Sequence, residues 1–208
     1  MTLRLLRLAI VAGGILFSWS LAIGQDNEVE LTDGGIGIGL VLPPGLTRFS
    51  DEQMARVREK GINAKFVFSD STIGRLLVVN AFGSNANEAG LSKAADDIVA
   101  SARKEQTSVE VLKRSLITIK GRKWLQMSLK QGAGADGTID TYLITDWLRR
   151  YVLLDFSTTV ADYESYKAIF EKSIKSVQLS LIAETPGVAK MVRFPFYNRA
   201  GWGKSGRF

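Results

Sequence analysis

The chain has 208 residues, 27 of them basic and 21 acidic, for a formal net charge of +6, and it contains neither histidine nor cysteine. This composition excludes Ser-His-Asp and Cys-His catalysis, disulfides, and metal sites built from thiolate or imidazole ligands. The positive excess lies at the two ends. Residues 1–24 contain two basic residues, Arg4 and Arg7, and residues 184–208 contain five basic residues and one acidic residue, Glu184. Residues 25–183 therefore contain 20 basic and 20 acidic residues. A nucleic-acid-binding face, which needs a basic excess, is therefore not expected on the body of the chain.

The first 24 residues have the three parts of a secretory signal: a basic start, an apolar centre from Leu8 to Leu16, and the small-x-small end Ala22–Gly24. The pattern predicts cleavage after Gly24 and export to the periplasm or the extracellular space. The alternative is an uncleaved membrane anchor. The apolar run from Leu8 to Ile23 spans 16 residues, whereas a bilayer core needs about 20, so cleavage is favoured.

The first half of the body predicts strands interrupted by two helices. A glycine-rich strand over Gly35–Gly45 ends in a Pro-Pro-Gly turn. A helix follows, with Ser50 and Gln53 at capping-box spacing and Gly61 as its stop. The next two predicted strands, Asn63–Ser69 and Arg75–Phe82, form a hairpin, and a second helix spans residues 87–106. Six of its apolar residues recur at helical spacing and indicate a face packed on a sheet: Leu91, Ala94, Ala95, Ile98, Val99 and Ala102.

The second half predicts an antiparallel meander and a closing helix. Its strands are expected over Ser108–Lys120, Arg122–Lys130, Thr138–Thr145 and Tyr151–Thr159, and the helix over residues 161–177 begins at Asp162 as its N-cap. The last strand is apolar at both alternations, so both faces of the sheet must be covered. Residues 25–183 are therefore predicted to be one α+β domain, an antiparallel sheet of about six strands sandwiched between helices in three layers.

The loop after the second meander strand has the spacing G-x-G-x-x-G at Gly132, Gly134 and Gly137. A dinucleotide fingerprint needs a helix N-terminus after its glycines. The residues after Gly137 are instead β-branched and alternating, and a strand precedes the loop. We therefore interpret it as a hairpin connection, and no cofactor is predicted.

The order of these elements resembles the PsbP-like superfamily, which includes the Mog-type Ran-binding factors, over Gly35–Leu181. The residues that carry the resemblance are core and turn positions: Gly121, Trp124, Tyr151, Tyr163, Phe170, Ile174 and Ser176. The resemblance implies an antiparallel sheet between helical layers and a role in binding partner proteins without catalysis. It is a likeness of fold and does not name the partner.

Carboxylate, lysine, tyrosine and serine side chains remain as routes to catalysis, but no strand-turn-helix elbow presents a serine for a Ser-Lys dyad. Asp96 and Asp97 are adjacent on a predicted helix and point about 100° apart, which does not suit a shared substrate or metal. Asp136 and Asp140 flank the glycine loop, but calcium needs six or more oxygen ligands and no third acidic residue is near in sequence. The sequence thus favours a non-catalytic interaction or accessory domain, and the alternative is a carboxylate-based or metal-dependent hydrolase of the cell envelope.

Two segments are candidates for partner binding. In the turn after the third meander strand, Trp147, Arg149 and Arg150 are residue types that dominate binding hot spots; the alternative is that Trp147 packs on the sheet and the arginines make surface pairs. In the tail, residues 184–208, aromatic residues alternate with basic ones, which suits an acidic partner protein or an anionic membrane surface. The tail residues predicted to bind are Phe194, Phe196, Tyr197 and Trp202. The alternatives are a tail folded back on its own domain and a tail without a role.

Overall fold

The computed structural model describes residues 27–33, 35–59 and 62–181. Ten strands and three helices follow one another in this part of the chain, with a single 3-10 turn over Glu88–Gly90. They are β1 (Glu28–Asp33), β2 (Ile36–Val41), β3 (Thr47–Arg48), α1 (Asp51–Glu59), β4 (Phe66–Ser69), β5 (Leu76–Phe82), α2 (Leu91–Glu105), β6 (Val109–Ile119), β7 (Arg122–Gln131), β8 (Thr138–Trp147), β9 (Arg150–Thr159), α3 (Tyr163–Ser176) and β10 (Gln178–Leu181).

The main sheet has seven strands in the order β3-β4-β5-β9-β8-β7-β6, and every neighbouring pair is antiparallel. This confirms the predicted α+β class and the antiparallel sheet. The predicted meander forms one side of the sheet, and the predicted β4–β5 hairpin forms the other. Strand β9 lies in the middle, where it pairs with β5 on one side and β8 on the other.

A second, three-stranded sheet in the order β1-β2-β10 was not predicted. Strand β1 has the sequence EVELTD, which is mostly polar, and it buries only Leu31 fully, so its sequence carries no strand signal. Strand β2 supplies the apolar side of this sheet, since Ile36 and Ile38 are 1% and 2% exposed. The glycine-rich strand therefore leaves the main sheet and forms part of a cover over it.

The first face of the main sheet is closed by this small sheet together with α3. Phe170 of α3 packs on Phe156 of β9 with ring centroids 5.6 Å apart, and both belong to the largest buried cluster. The hydroxyl of Ser176 accepts a hydrogen bond from the backbone N–H of Val41 at 2.8 Å, which ties the end of α3 to the end of β2.

The predicted N-terminal capping is confirmed for α1, but at α3 the side chain of the N-cap residue bonds differently. At α1, Ser50 and Gln53 form the predicted capping box, with reciprocal bonds of 2.8 and 3.2 Å. At α3, Asp162 occupies the N-cap position, but its side chain makes no capping bond. It accepts a hydrogen bond from the hydroxyl of Thr159 at 2.8 Å instead, because the strand β9 ends within reach of it.

The opposite face of the main sheet is covered by α1 and α2, each over its own cluster. Helix α2 packs Leu91, Ala95 and Val99 on β7 and β8, and α1 packs Met54 and Val57 on β4 and β5. The prediction that helices cover both faces is confirmed. The two clusters do not merge, and the space between them lies over β5 and β9.

The contact between α3 and β9 gives a stability prediction. We expect Phe170→Ala to lower the free energy of unfolding by about 3–5 kcal/mol, because it leaves a cavity in the largest cluster. Urea denaturation measures this change. Ile169→Ala on the same helix, at a half-buried position, is the matched control and should cost clearly less. Equal costs for the two variants would show that α3 does not dock through Phe170.

Candidate functional site

The hairpin end, which we define as Trp147, Leu148, Arg149 and Arg150, closes strands β8 and β9. Trp147 pairs with Arg150 across the ladder, so only Leu148 and Arg149 form the turn. Their φ angles are 50° and 62°, the left-handed values of a type I′ turn, where Asn and Gly are strongly preferred. The turn is shorter than the sequence predicted, because β8 extends to Trp147. Leu148 is 50% exposed.

The base of the hairpin end is held by side chains of neighbouring elements. The guanidinium of Arg122 lies over the Trp147 ring, 4.0 Å from its centroid, and donates to the carbonyl of Asp146 at 2.9 Å. Trp147 also packs against the largest buried cluster. The packing of Trp147 on the sheet, which the sequence left open as an alternative, is therefore what the structure shows.

The two arginines of the hairpin end have different environments. Arg150 is half-buried and donates to the carbonyl of Ala81 at 2.8 Å, and it lies 3.4 Å from the carboxylate of Asp33. It thus joins the main sheet to the end of β1. Arg149 is exposed and donates to the side-chain oxygen of Asn85. Whether the hairpin end binds a partner stays a prediction, and Phe194, Phe196, Tyr197 and Trp202 lie outside the described residues.

The glycine loop connects β7 to β8 as a hairpin, with Gln131 paired to Thr138 at its base. This confirms the interpretation of the G-x-G-x-x-G spacing as a turn. Gly132 and Gly134 have φ angles of 80° and 66°, which glycine adopts without strain. No helix begins at the loop, so it lacks the helix N-terminus on which a dinucleotide fingerprint places a pyrophosphate.

A cleft of about 650 Å³ opens on the face of the sheet that carries α1 and α2. Its walls are α2 on one side and the segment Ile62–Ala64, which follows α1, on the other. Its floor consists of residues from β5, β9 and β8. The N-terminal corner of α2 is tightly fitted, because a Cβ added to Gly90 would overlap the hydroxyl of Tyr151.

The burial of alternate residues on the two central strands shows which side chains form the floor of the cleft. On β5, Val78 and Phe82 are half-buried, whereas their neighbours on the opposite face are fully buried. On β9, Tyr151 and Leu153 are half-buried, and Val152 and Leu154 are not exposed at all. Phe82 and Tyr151 are paired across the ladder with ring centroids 5.6 Å apart. One face of the central strand pair is therefore sealed, and the other is open to solvent.

The inner end of the floor is acidic. Asp155 of β9 lies beside Tyr142 of β8 in the ladder, and both are nearly buried, at 7% and 6% exposed. Asp140 is fully buried on the same face and accepts hydrogen bonds from Gln131 and Thr138. Burial raises the pKa of the Tyr142 hydroxyl well above its usual value, and the charges of Asp155 and Asp140 raise it further, against a small opposing effect of Gln131. Tyr142 therefore stays protonated at neutral pH.

The other carboxylates considered from the sequence do not converge. Asp96 pairs with Arg114 at 2.6 Å and Asp97 with Lys93 at 3.0 Å, so the adjacent residues point to different cations. Asp136 is exposed while Asp140 is buried. Within residues 27–33, 35–59 and 62–181, no group of three or more acidic residues is placed to hold a metal ion.

Sequence reasoning did not identify the cleft. Two acidic residues in the sequence nevertheless indicate its position: Asp155 interrupts the apolar strand YVLLDFSTT, and Asp140 interrupts the strand TIDTYLIT. A charge in the middle of a strand that is apolar on both faces costs free energy unless the fold provides polar neighbours. Such a residue marks the part of a sheet where polar groups or an opening must lie.

No family model and no curated protein sequence matches this chain. Among solved structures it is similar to the cyanobacterial PsbP (CyanoP) of Synechocystis sp. PCC 6803, with 13% identity, a TM-score of 0.56, and coverage of 78% of this chain and 98% of that one. It is also similar to the Ran-binding protein Mog1p of Saccharomyces cerevisiae, with 15% identity, a TM-score of 0.50, and coverage of 74% and 95%.

A third similar structure is LpqN of Mycobacterium tuberculosis, a protein involved in cell envelope biogenesis, with 11% identity, a TM-score of 0.50, and coverage of 74% and 91%. The resemblance to the PsbP-like superfamily is thus confirmed at the level of fold. At these identities the likeness carries no statement about activity. No helix in the described part of the chain is both long and apolar enough to span a bilayer.

The buried tyrosine gives a prediction of pH dependence. The folded state keeps the Tyr142 proton, whereas the unfolded chain releases it near the ordinary pKa of about 10. Stability conferred in this way is fully present below pH 10 and is lost as the pH rises toward the raised pKa of the folded state, with a slope of up to about 1.4 kcal/mol per pH unit. Urea unfolding between pH 9 and pH 11 should therefore show a steeper fall for the natural chain than for Tyr142→Phe. Parallel curves would show that Tyr142 titrates normally.

Proposed function

We propose that this chain is an exported, non-catalytic interaction or accessory domain of the cell envelope, which binds a partner protein through its hairpin end. The observation that carries the proposal is the turn itself. Leu148 and Arg149 both have positive φ angles, and leucine at the tip is half-exposed. A sequence selected for stability alone would place Asn-Gly at these two positions.

The strain of this turn has a measurable size. A left-handed conformation costs an L-residue with a bulky side chain on the order of 1–2 kcal/mol. Such strain is found where the displayed side chains have a use. Here the two displayed side chains are an apolar one, Leu148, and a cationic one, Arg149.

The base of the hairpin end supports binding by holding the tip in one geometry. Trp147 is fixed between Arg122 and the core, and Arg150 is fixed by Ala81 and Asp33. A tip that is already ordered loses less conformational entropy on association. In this proposal Leu148 and Arg149 contact the partner, while Trp147 and Arg150 position them.

The two ends of the chain also have roles in this proposal. The secretory pattern of residues 1–24 directs the chain to the envelope or beyond. The tail, residues 184–208, supplies a second contact through its basic and aromatic residues, on an acidic partner or an anionic membrane surface. The fold likeness to CyanoP and LpqN agrees with an accessory domain.

The non-catalytic assignment is supported by the chemistry of the side chains. The chain has no histidine or cysteine, and the described carboxylates do not gather in threes around a metal position. The rival, a carboxylate-based hydrolase, would need such a gathering. In the described part of the chain, the buried carboxyls of Asp140 and Asp155 neighbour a protonated tyrosine and an apolar floor rather than a hydrolytic arrangement.

The hairpin proposal predicts a separation of stability from binding. In the double variant Leu148→Asn, Arg149→Gly, the preferred type I′ residues replace the strained ones, and we expect the free energy of unfolding to rise by about 1 kcal/mol. Capture of a partner from the envelope fraction should be lost at the same time. Urea denaturation and a pull-down with the purified chain measure the two effects.

The neighbouring hairpin offers a matched control. Lys120 precedes Gly121 in the β6–β7 turn and also has a positive φ, 46°. Lys120→Asn relieves the same kind of strain outside the hairpin end and should leave capture unchanged. If the double variant captures the same partner as the natural chain, the hairpin end is not the binding surface.

The tail gives a separate prediction. A chain truncated after Ala183 should remain folded, because Phe170 and Ile174 of the core are retained, but it should lose binding to anionic vesicles. Each basic residue near an anionic surface contributes about 1 kcal/mol, and salt screens this attraction over a Debye length of roughly 8 Å. Vesicle sedimentation with anionic and neutral lipids measures the difference. Unfolding of the truncated chain would show that the tail is part of the core.

A further inference from the structure

The cleft is large enough to hold a small molecule. Its volume of about 650 Å³ falls within the range of roughly 300–1,000 Å³ that is typical of ligand sites. It lies over the middle of the sheet, on β5 and β9, and not at an edge. Side chains anchored on central strands are held rigidly, so the floor of the cleft has a defined shape.

Covering the apolar floor of the cleft is favourable in free energy. Val78, Phe82 and Leu153 are half-buried apolar residues in the centre of the sheet, and water is in contact with them. Burial of apolar surface is favourable by roughly 25 cal/mol per Å². Val78 packs against the α1 cluster and Leu153 against the α2 cluster, but neither is fully buried. An occupant with an apolar body therefore replaces water over these three residues.

The charged residues that line the cleft determine whether it favours a cationic or an anionic ligand. Among the described residues that line the cleft, the charged ones are Lys93, Asp97 and Asp155. Lys93 and Asp97 form an ion pair at 3.0 Å and neutralise each other, so Asp155 decides the net charge. A second carboxyl, that of Asp140, is fully buried on the same face and accepts hydrogen bonds from Gln131 and Thr138. An anionic group is repelled from this end of the cleft, and a cationic group is attracted.

The aromatic residues of the lining agree with this sign. Tyr142, Tyr151 and Phe82 all line the cleft. The faces of aromatic rings attract ammonium groups, and this contribution grows when water is excluded. The acidic end and the aromatic residues thus favour the same kind of ligand group.

We propose that the cleft between α2 and the segment Ile62–Ala64 binds a small amphipathic cation, with an ammonium group near Asp155 and an apolar body over Val78 and Leu153. This site is distinct from the hairpin end and does not depend on the partner proposed there. Among the possible occupants, charge complementarity selects the cationic amphiphile over a fatty acid of the same length.

The test compares two probes of equal chain length, decyltrimethylammonium and decanoate, below their micelle concentrations. Backbone amide shifts of the purified chain are followed by NMR during titration. We expect saturable shifts centred on Val78 and Leu153 with the ammonium probe, and at least about ten-fold weaker binding of decanoate. Equal affinity for both probes, shifts spread over the surface, or no binding of the ammonium probe would overturn the proposal.

Three variants locate the site. Val78→Phe fills the floor and should remove binding of both probes. Asp155→Asn removes the deciding charge and should weaken the ammonium probe at least about ten-fold, while decanoate is not weakened. Glu171→Gln, on the exposed side of α3 at the opposite face, is the control and should change nothing. Unchanged ammonium binding in folded Val78→Phe contradicts the placement.

A further variant keeps the test decisive if Asp155→Asn does not fold. The side chain of Asp97 is 65% exposed, so Asp97→Asn is expected to fold. It leaves Lys93 without its partner and adds a net positive charge to the lining. Binding of the ammonium probe should weaken and that of decanoate should strengthen, and an unchanged preference would contradict the role of charge.

Discussion

The fold depends on one constraint, the two-sided apolar character of β9. This strand lies in the middle of the main sheet and directs Val152, Leu154 and Phe156 to one face and Tyr151 and Leu153 to the other. A strand of this kind is stable only when layers cover both faces. The first face is sealed by α3 and the small sheet. The second is covered by two separate helices, and their clusters do not meet over β9.

Both candidate sites follow from this arrangement, because they lie along the same strand. β9 begins at Arg150, which holds the hairpin end against Ala81 and Asp33. Three residues further on, Leu153 forms the open floor of the cleft, and Asp155 ends it. A rigid central strand thus positions a strained turn at one end and an acidic, apolar cleft at its middle. Both proposed sites lie where the covering layers stop rather than in the sealed core.

Sequence reasoning correctly predicted the elements that show a clear hydrophobic periodicity or capping pattern. The stripe of Leu91, Ala95 and Val99, the capping box at Ser50, and the double alternation of β9 all agree with the structure. Strand β1 was missed, since its only fully buried residue is Leu31 and one residue gives no period. The cleft was missed for a different reason. Periodicity shows which face of a strand is apolar, but whether two helices meet above that face depends on their tertiary placement.

The most direct measurement of the open face is the paramagnetic relaxation of methyl groups by a neutral, soluble relaxation agent. Leu153 and Leu154 are adjacent on β9 and point to opposite faces, and Val78 and Val79 on β5 form a second such pair. If the cleft is open, the methyl groups of Leu153 and Val78 will relax strongly, while those of Leu154 and Val79 remain protected. Equal protection of both members of each pair would show that α1 and α2 close over the sheet, and would contradict the existence of the cleft.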